Sequence, residues 1–170
     1  AQVDAPGYFD NFDGDIFGVA IYDRLLTAEE IAASADKYFN PIPVTDPDLL
    51  IYYTFEDGEG TTVTDQSGHS NHGLFTGSPT WTEGLFGGCV FINKATVDGI
   101  KTKAPLNIVT NHVTVTDWAK HDVAPYGWSG ILTHRGTSPG NVGLQHDGTE
   151  LRYMWGADQY WSFSSGLKIP

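Results

Sequence analysis

Asn141–Trp155, NVGLQHDGTELRYMW, reads as two short strands folded around a tight turn. The turn is His146-Asp147-Gly148, and Asp-Gly supplies residues that adopt the positive φ angles of a hairpin loop. Gly143–Gln145 is thereby set beside Leu151–Trp155 as an antiparallel pair. The same grammar extends in both directions. Upstream, Leu50–Phe55, Cys89–Ile92, Gly99–Lys103, Val113–Lys120 and Ile131–His134 are short β-branched or aromatic runs, each bounded by Gly, Pro, Asn or Asp; downstream, Tyr160–Phe163 is another. Short strands at regular spacing predict an all-β chain, an antiparallel β-sandwich of facing sheets. Twenty glycines and nine prolines in 170 residues fit strands joined by turns.

One helix interrupts this pattern, near the start of the chain. Thr27–Phe39 opens with a capping box, Thr27 as N-cap and Glu30 three residues later. Ile31, Ala35 and Tyr38 share one face, and Asn40-Pro41 stops it. Ile16–Tyr22, just before, is apolar enough for a strand. Asn40–Asp48, NPIPVTDPD, holds three prolines in nine residues and reads as an extended linker. The organisation predicted is therefore residues 1–39, a linker 40–48, and a β-rich body 49–170.

The formal charge is −12, from 21 acidic and 9 basic side chains. No basic stripe exists to displace counterions from phosphates, which excludes nucleic acid as an expected partner. No apolar run approaches a membrane span, and no signal peptide precedes Ala1. A chain without an initiator Met is expected to be mature, processed or excised. The single cysteine, Cys89, excludes an intrachain disulfide, and in the apolar run GGCVFI it reads as an inert core thiol. An enzyme is not expected: no pair of strand carboxylates in glucanase spacing, no H-E-x-x-H and no G-x-S-x-G occurs.

Four groups of residues could carry a binding function. Asp65, Ser67, His69 and Asn71 alternate in a glycine-flanked loop, with Asp57 and Glu59 in the preceding turn. Such oxygen-rich loops suit Ca²⁺, the one cofactor expected; an Asx-turn in which Asp65 bonds its own backbone uses the same residues. Asp13 and Asp15 are further acidic candidates, with a solvated turn as the plainer reading. Trp128, Trp161, Tyr126, Trp155 and Tyr160 lie near turns or strand ends, where flat rings can cover the apolar face of a sugar or else fill the core. Asp117 falls on the same strand face as Val113 and Val115, so it needs a partner such as His134, Arg135 or a metal, or a bulge.

Three stretches resemble laminin-G-like, concanavalin-A-like jelly-roll domains of bacterial surface proteins. Leu49–Ile92, with LLIYYTFEDGEG, DQSG and FGGCVFI, resembles the opening of such a domain. VTVTDWAK at Val113–Lys120, with WSGILTHRG and the hairpin after it, resembles the middle strands, and gives Trp118 a structural role. FDGDIFGVAIYDRLLTAEEI at Phe12–Ile31 resembles the closing strand and helix, although Phe17 and Gly18 stand where relatives carry an acidic pair. The closing motif comes first, so the chain reads as two cut tandem repeats, as a permuted domain, or as a subunit whose first segment completes a neighbour.

The resemblance implies calcium near Asp65. It also implies a secreted or cell-surface location in a bacterium, and non-catalytic binding to a glycan or an extracellular protein. Self-association through an open sandwich edge, a structural repeat, and an accessory domain of a secreted glycoside hydrolase are the other implied roles.

Overall fold

The computed structural model describes residues 12–36, 44–84, 86–96, 98–103, 106, 112–122, 128–135, 141–147, 150–156 and 163–168. The fold over these residues is all-β and antiparallel, with one α-helix.

The largest sheet is built around β1 (Gly14–Tyr22), hydrogen-bonded on both edges. One edge runs along β8 (Thr114–His121); the other is shared by β2 (Leu49–Tyr53) and β6 (Gly87–Ile92), beyond which lies β5 (Thr80–Gly84). Residues opposite each other on paired strands share a face. Ile16 stands opposite Val90, Val19 opposite Tyr53, and Ile21 opposite Ile51 and Val115, so one face is apolar apart from Asp117, which also stands opposite Val19. Two bulges keep this parity. Phe17 is an extra residue against β8, and Leu50 an extra residue against β1.

A second sheet comprises β3 (Thr62–Val63), β4 (Gly73–Thr76) and β7 (Gly99–Thr102). The third is a four-stranded meander of β9 (Trp128–Arg135), β10 (Asn141–Asp147), β11 (Glu150–Gly156) and β12 (Phe163–Lys168). Gly143, Leu144 and Gln145 pair with Met154, Tyr153 and Arg152, which is the hairpin that the sequence predicts, with Asp147 opposite Glu150. All three sheets feed one core. Ile16, Ile21, Ile51, Tyr53, Val90 and Ile92 come from the first and Val63 from the second, with Phe75, Ile100 and Ile131 packed against them. Burying side chains of this size stabilises a fold by roughly 1.5–3 kcal/mol each.

This placement joins the first segment of the chain to the rest. Ile16 and Ile21 share a cluster with this chain's own Tyr53 and Val90, with Val19 and Val115 packed on it. The segment before the linker thus folds back into the sheet formed by the segment after it. The helix also differs from expectation. It spans Ala28–Ala35, with the capping box formed by Thr27 and Glu30. Its buried residue is Ser34, while Ile31 is 49% exposed and Ala35 faces solvent. Ser34 hydrogen-bonds the buried Tyr22, and that tertiary contact sets the helix face against the apolar periodicity. Tyr38 lies outside the described residues.

Candidate functional site

The Asp57–His72 region is a hydrogen-bonded loop centred on Asp65. Asp65 is 6% exposed. Its Oδ1 accepts from the backbone N–H of Tyr52 (2.9 Å) and of Ser67 (3.0 Å). Its Oδ2 accepts from the Ser67 hydroxyl (2.7 Å) and the backbone N–H of Asn71 (2.9 Å). Burial pushes this carboxyl upward, but the donors of Ser67, Tyr52 and Asn71 together hold it below the usual carboxylate value.

The neighbours are held just as firmly. The Asn71 amide donates to the carbonyl of the bulged Leu50 (2.8 Å), supplying a partner that the strand ladder lacks there. Tyr53 Oη donates to Asn71 O, and His72 Nδ1 accepts from Asp65 N (3.1 Å). Asp57 Oδ2 accepts from Thr64 N (3.0 Å). His69 enters through its backbone N–H, which donates to Ser67 Oγ (3.3 Å), and is otherwise exposed. Asp65, Ser67 and Asn71 are therefore brought together, with the first two buried, while His69 and Asp57 stand apart from the Asp65 carboxylate's own partners. Every Asp65 oxygen already serves two donors, and that is the arrangement of an extended Asx-turn. Among the described residues, no group of three or more His, Cys, Asp and Glu side chains is spaced to hold a metal.

Of the expected sugar-stacking residues, Tyr126, Tyr160 and Trp161 fall outside the described residues. Trp128 opens β9 and Trp155 lies in β11; their side chains fall outside the description as well. A different aromatic group is assembled on the outer face of the large sheet. The rings of Phe17 and Phe86 meet edge-to-face at 6.4 Å, and those of Phe86 and Trp118 at 5.9 Å. Phe86 sits in the two-residue loop between β5 and β6 and is 37% exposed. Phe17 reaches this group from its bulge, and its ring lies so close over Gly84 that a Cβ there would collide with it.

A polar strip continues the same face. Lys120 is two residues beyond Trp118 on β8 and stands opposite Asp15 on β1. Its ammonium lies 4.0 Å from the Asp15 carboxylate and 2.9 Å from that of Asp122. Asp15 is raised above the usual value by burial and by Asp122, against the pull of Lys120. Asp13 lies 4.0 Å from Lys94 instead, and its carbonyl accepts from Asp122 N (3.2 Å). At the other end of the face, the connection into the helix covers the sheet. Thr114 Oγ1 donates to Arg24 O (2.9 Å) and accepts from Leu26 N (3.1 Å), and Leu26 packs on Ala20, Tyr22, Leu49 and Tyr52. Among the described residues, the face is closed at Tyr22 and open at Phe86, Trp118 and Lys120.

Asp117 stands opposite Val19, on the face with Val115, as the alternation predicts. Cys89 is fully buried in β6; burial, then the charges of Asp15 and Glu56, push its thiol up to about 11, which keeps it protonated and inert. Sequence reasoning missed Phe17 and Phe86 as partners of Trp118. Strand alternation assigns Phe17 to a face by parity, and a bulge resets that parity without leaving a mark in the composition. No protein-family model, curated protein or solved structure matches the chain.

Proposed function

We propose that this chain is a non-catalytic glycan-binding module of an extracellular protein, and that Phe86 and Trp118, backed by the buried Phe17, form its sugar platform. The supporting observation is the contiguity of an exposed ring edge with a charged strip on one open sheet face. Aromatic rings stack on the apolar faces of pyranoses, while Lys120, Asp15 and Asp122 offer donors and acceptors to the hydroxyls at the rim. The interaction is shallow and weak per site, as suits an adhesion module or a domain accessory to a hydrolase.

Screening the chain on a glycan array, followed by calorimetric titration of the best ligand, tests the proposal. Trp118→Ala is expected to weaken binding at least tenfold, with the chain still folded by circular dichroism. Calcium dependence, which the resemblance implies, is read by repeating the titration in EDTA. The occupied Asp65 oxygens lead us to expect an unchanged affinity. No binding to any glycan, or full affinity in the Trp118 variant, overturns the platform.

A further inference from the structure

We infer that β1 is an exchangeable strand, through which two copies of the chain complete each other's large sheet and each other's aromatic ridge. β1 fills a slot rather than an edge: it pairs at eight positions with β8 and at four and three positions with β2 and β6. The walls of that slot, and most of the core, come from residue 49 onward. The slot specifies a strand with Ile16, Val19 and Ile21 on one face and a bulge at Phe17, and a second copy carries that strand.

The described residues of the connection between β1 and β2, 23–36 and 44–48, bury little apolar surface. Its helix buries only Ser34, and Leu25, Ile31 and Val44 are 63%, 49% and 50% exposed. Besides Leu26, which packs on Ala20, Tyr22, Leu49 and Tyr52, what fastens these residues is polar. Arg24 bonds Glu30 and Asp46, Asp23 N donates to Asp48 O, and Thr114 Oγ1 bridges Arg24 and Leu26. The segment also contains Pro41, Pro43 and Pro47, which favour extended backbone. Extended at about 3.1 Å per residue, such a connection spans the width of a domain and reaches a second copy. Open and closed forms share the same strand contacts, so concentration sets the balance between them.

In the exchanged form Asp15 and Phe17 of the ridge come from the partner, so each site is composite. A register-matched disulfide reads this directly. Ala20 and Thr116 stand opposite each other on β1 and β8, so Ala20→Cys with Thr116→Cys, in a Cys89→Ala background, links those strands. The variant is refolded at low and at high protein concentration, oxidised, and run on a non-reducing gel. Exchange gives a covalent dimer whose share rises several-fold with concentration. Only intrachain-linked monomer at every concentration overturns the inference, as does a dimer in solution whose chains are each linked internally. Should the cysteine variant not fold, light scattering on the wild-type chain decides: a dimer that forms on concentrated refolding and dissociates over hours supports exchange, and a monomer at all concentrations overturns it.

Discussion

Replacing Asp65 by alanine separates a structural carboxylate from a metal ligand. The substitution removes the acceptor for the backbone N–H groups of Tyr52, Ser67 and Asn71 and for the Ser67 hydroxyl. The hydroxyl has an alternative, since Leu50 O lies 3.1 Å away. Tyr52 and Ser67, whose N–H groups lose the Asp65 acceptor, are both buried. Each buried donor left without an acceptor costs about 1–3 kcal/mol, so two of them place the loss at roughly 2–6 kcal/mol, a large part of a domain's total stability. Asp65→Asn retains one carbonyl oxygen and is expected to lose about half as much. Urea unfolding followed by tryptophan fluorescence measures both, with the midpoint shifted and the slope unchanged. The sign of the pH dependence agrees. A carboxyl held below its unfolded-state value contributes fully above that value and is lost as pH falls through the native one, so wild type should lose stability in acid where Asp65→Asn does not. The metal reading requires the opposite pattern. If the variant matches wild type in EDTA and differs only when Ca²⁺ is added, the reasoning here is refuted.

Three further outcomes are expected. Gly84→Val places a side chain in the Phe17 ring; the ring must move, and stability should fall by about 1–3 kcal/mol with loss of the ridge's near-ultraviolet dichroism. A cavity of about 90 Å³ lies between the sheets, lined by Ile16, Val19, Ile21, Ile51, Ile100 and Ile131 among others, so Val19→Ile should raise the melting temperature, one buried methylene being worth about 0.8 kcal/mol; a lower melting temperature would show the site is already full. Hydrogen bonds from Arg24 and from Thr27 hold the Glu30 carboxyl at about 2, so the helix clamp should persist at mild acidity and weaken only as pH falls towards that value; Arg24→Met should move the loss to higher pH, followed by helical dichroism.

Much of the fold was legible because the residues that form its long strands obey period-two patterning. Leu49–Tyr53, Gly87–Ile92, Thr114–His121 and the Asn141–Gly156 hairpin each coincide with an apolar or turn-bounded run in the sequence. Thr62–Val63, Gly73–Thr76 and Thr80–Gly84 carried no such signal, being short and lined with Thr, Gly and exposed side chains. Their strand character comes from what they pair with. Of the strand expected at Tyr160–Phe163 only Phe163 lies among the described residues; it opens β12, which runs to Lys168 with extra residues opposite Arg152–Glu150 that shift the register. The Asp65 loop was visible as a pattern of oxygen-bearing residues. Whether such oxygens face a cation or the chain's own amides depends on the N–H groups of Tyr52 and Asn71, and backbone directions are not written in side-chain identity.

The bulge at Phe17 links the core to the surface. Without the extra residue, Ile16 and Val19 could not both face the core opposite Ala119 and Asp117, because three residues separate them and a strand alternates every two. The bulge resolves that mismatch, with Phe17 as the extra residue where the register against β8 shifts. Its ring lies over Gly84, against Phe86, which in turn meets Trp118. The residue that keeps β1 in step with the core is therefore the one that joins two separate strand systems into a ridge. It follows that the strand we infer to be exchanged brings its own part of the ridge with it, so that exchange conserves the site instead of dismantling it.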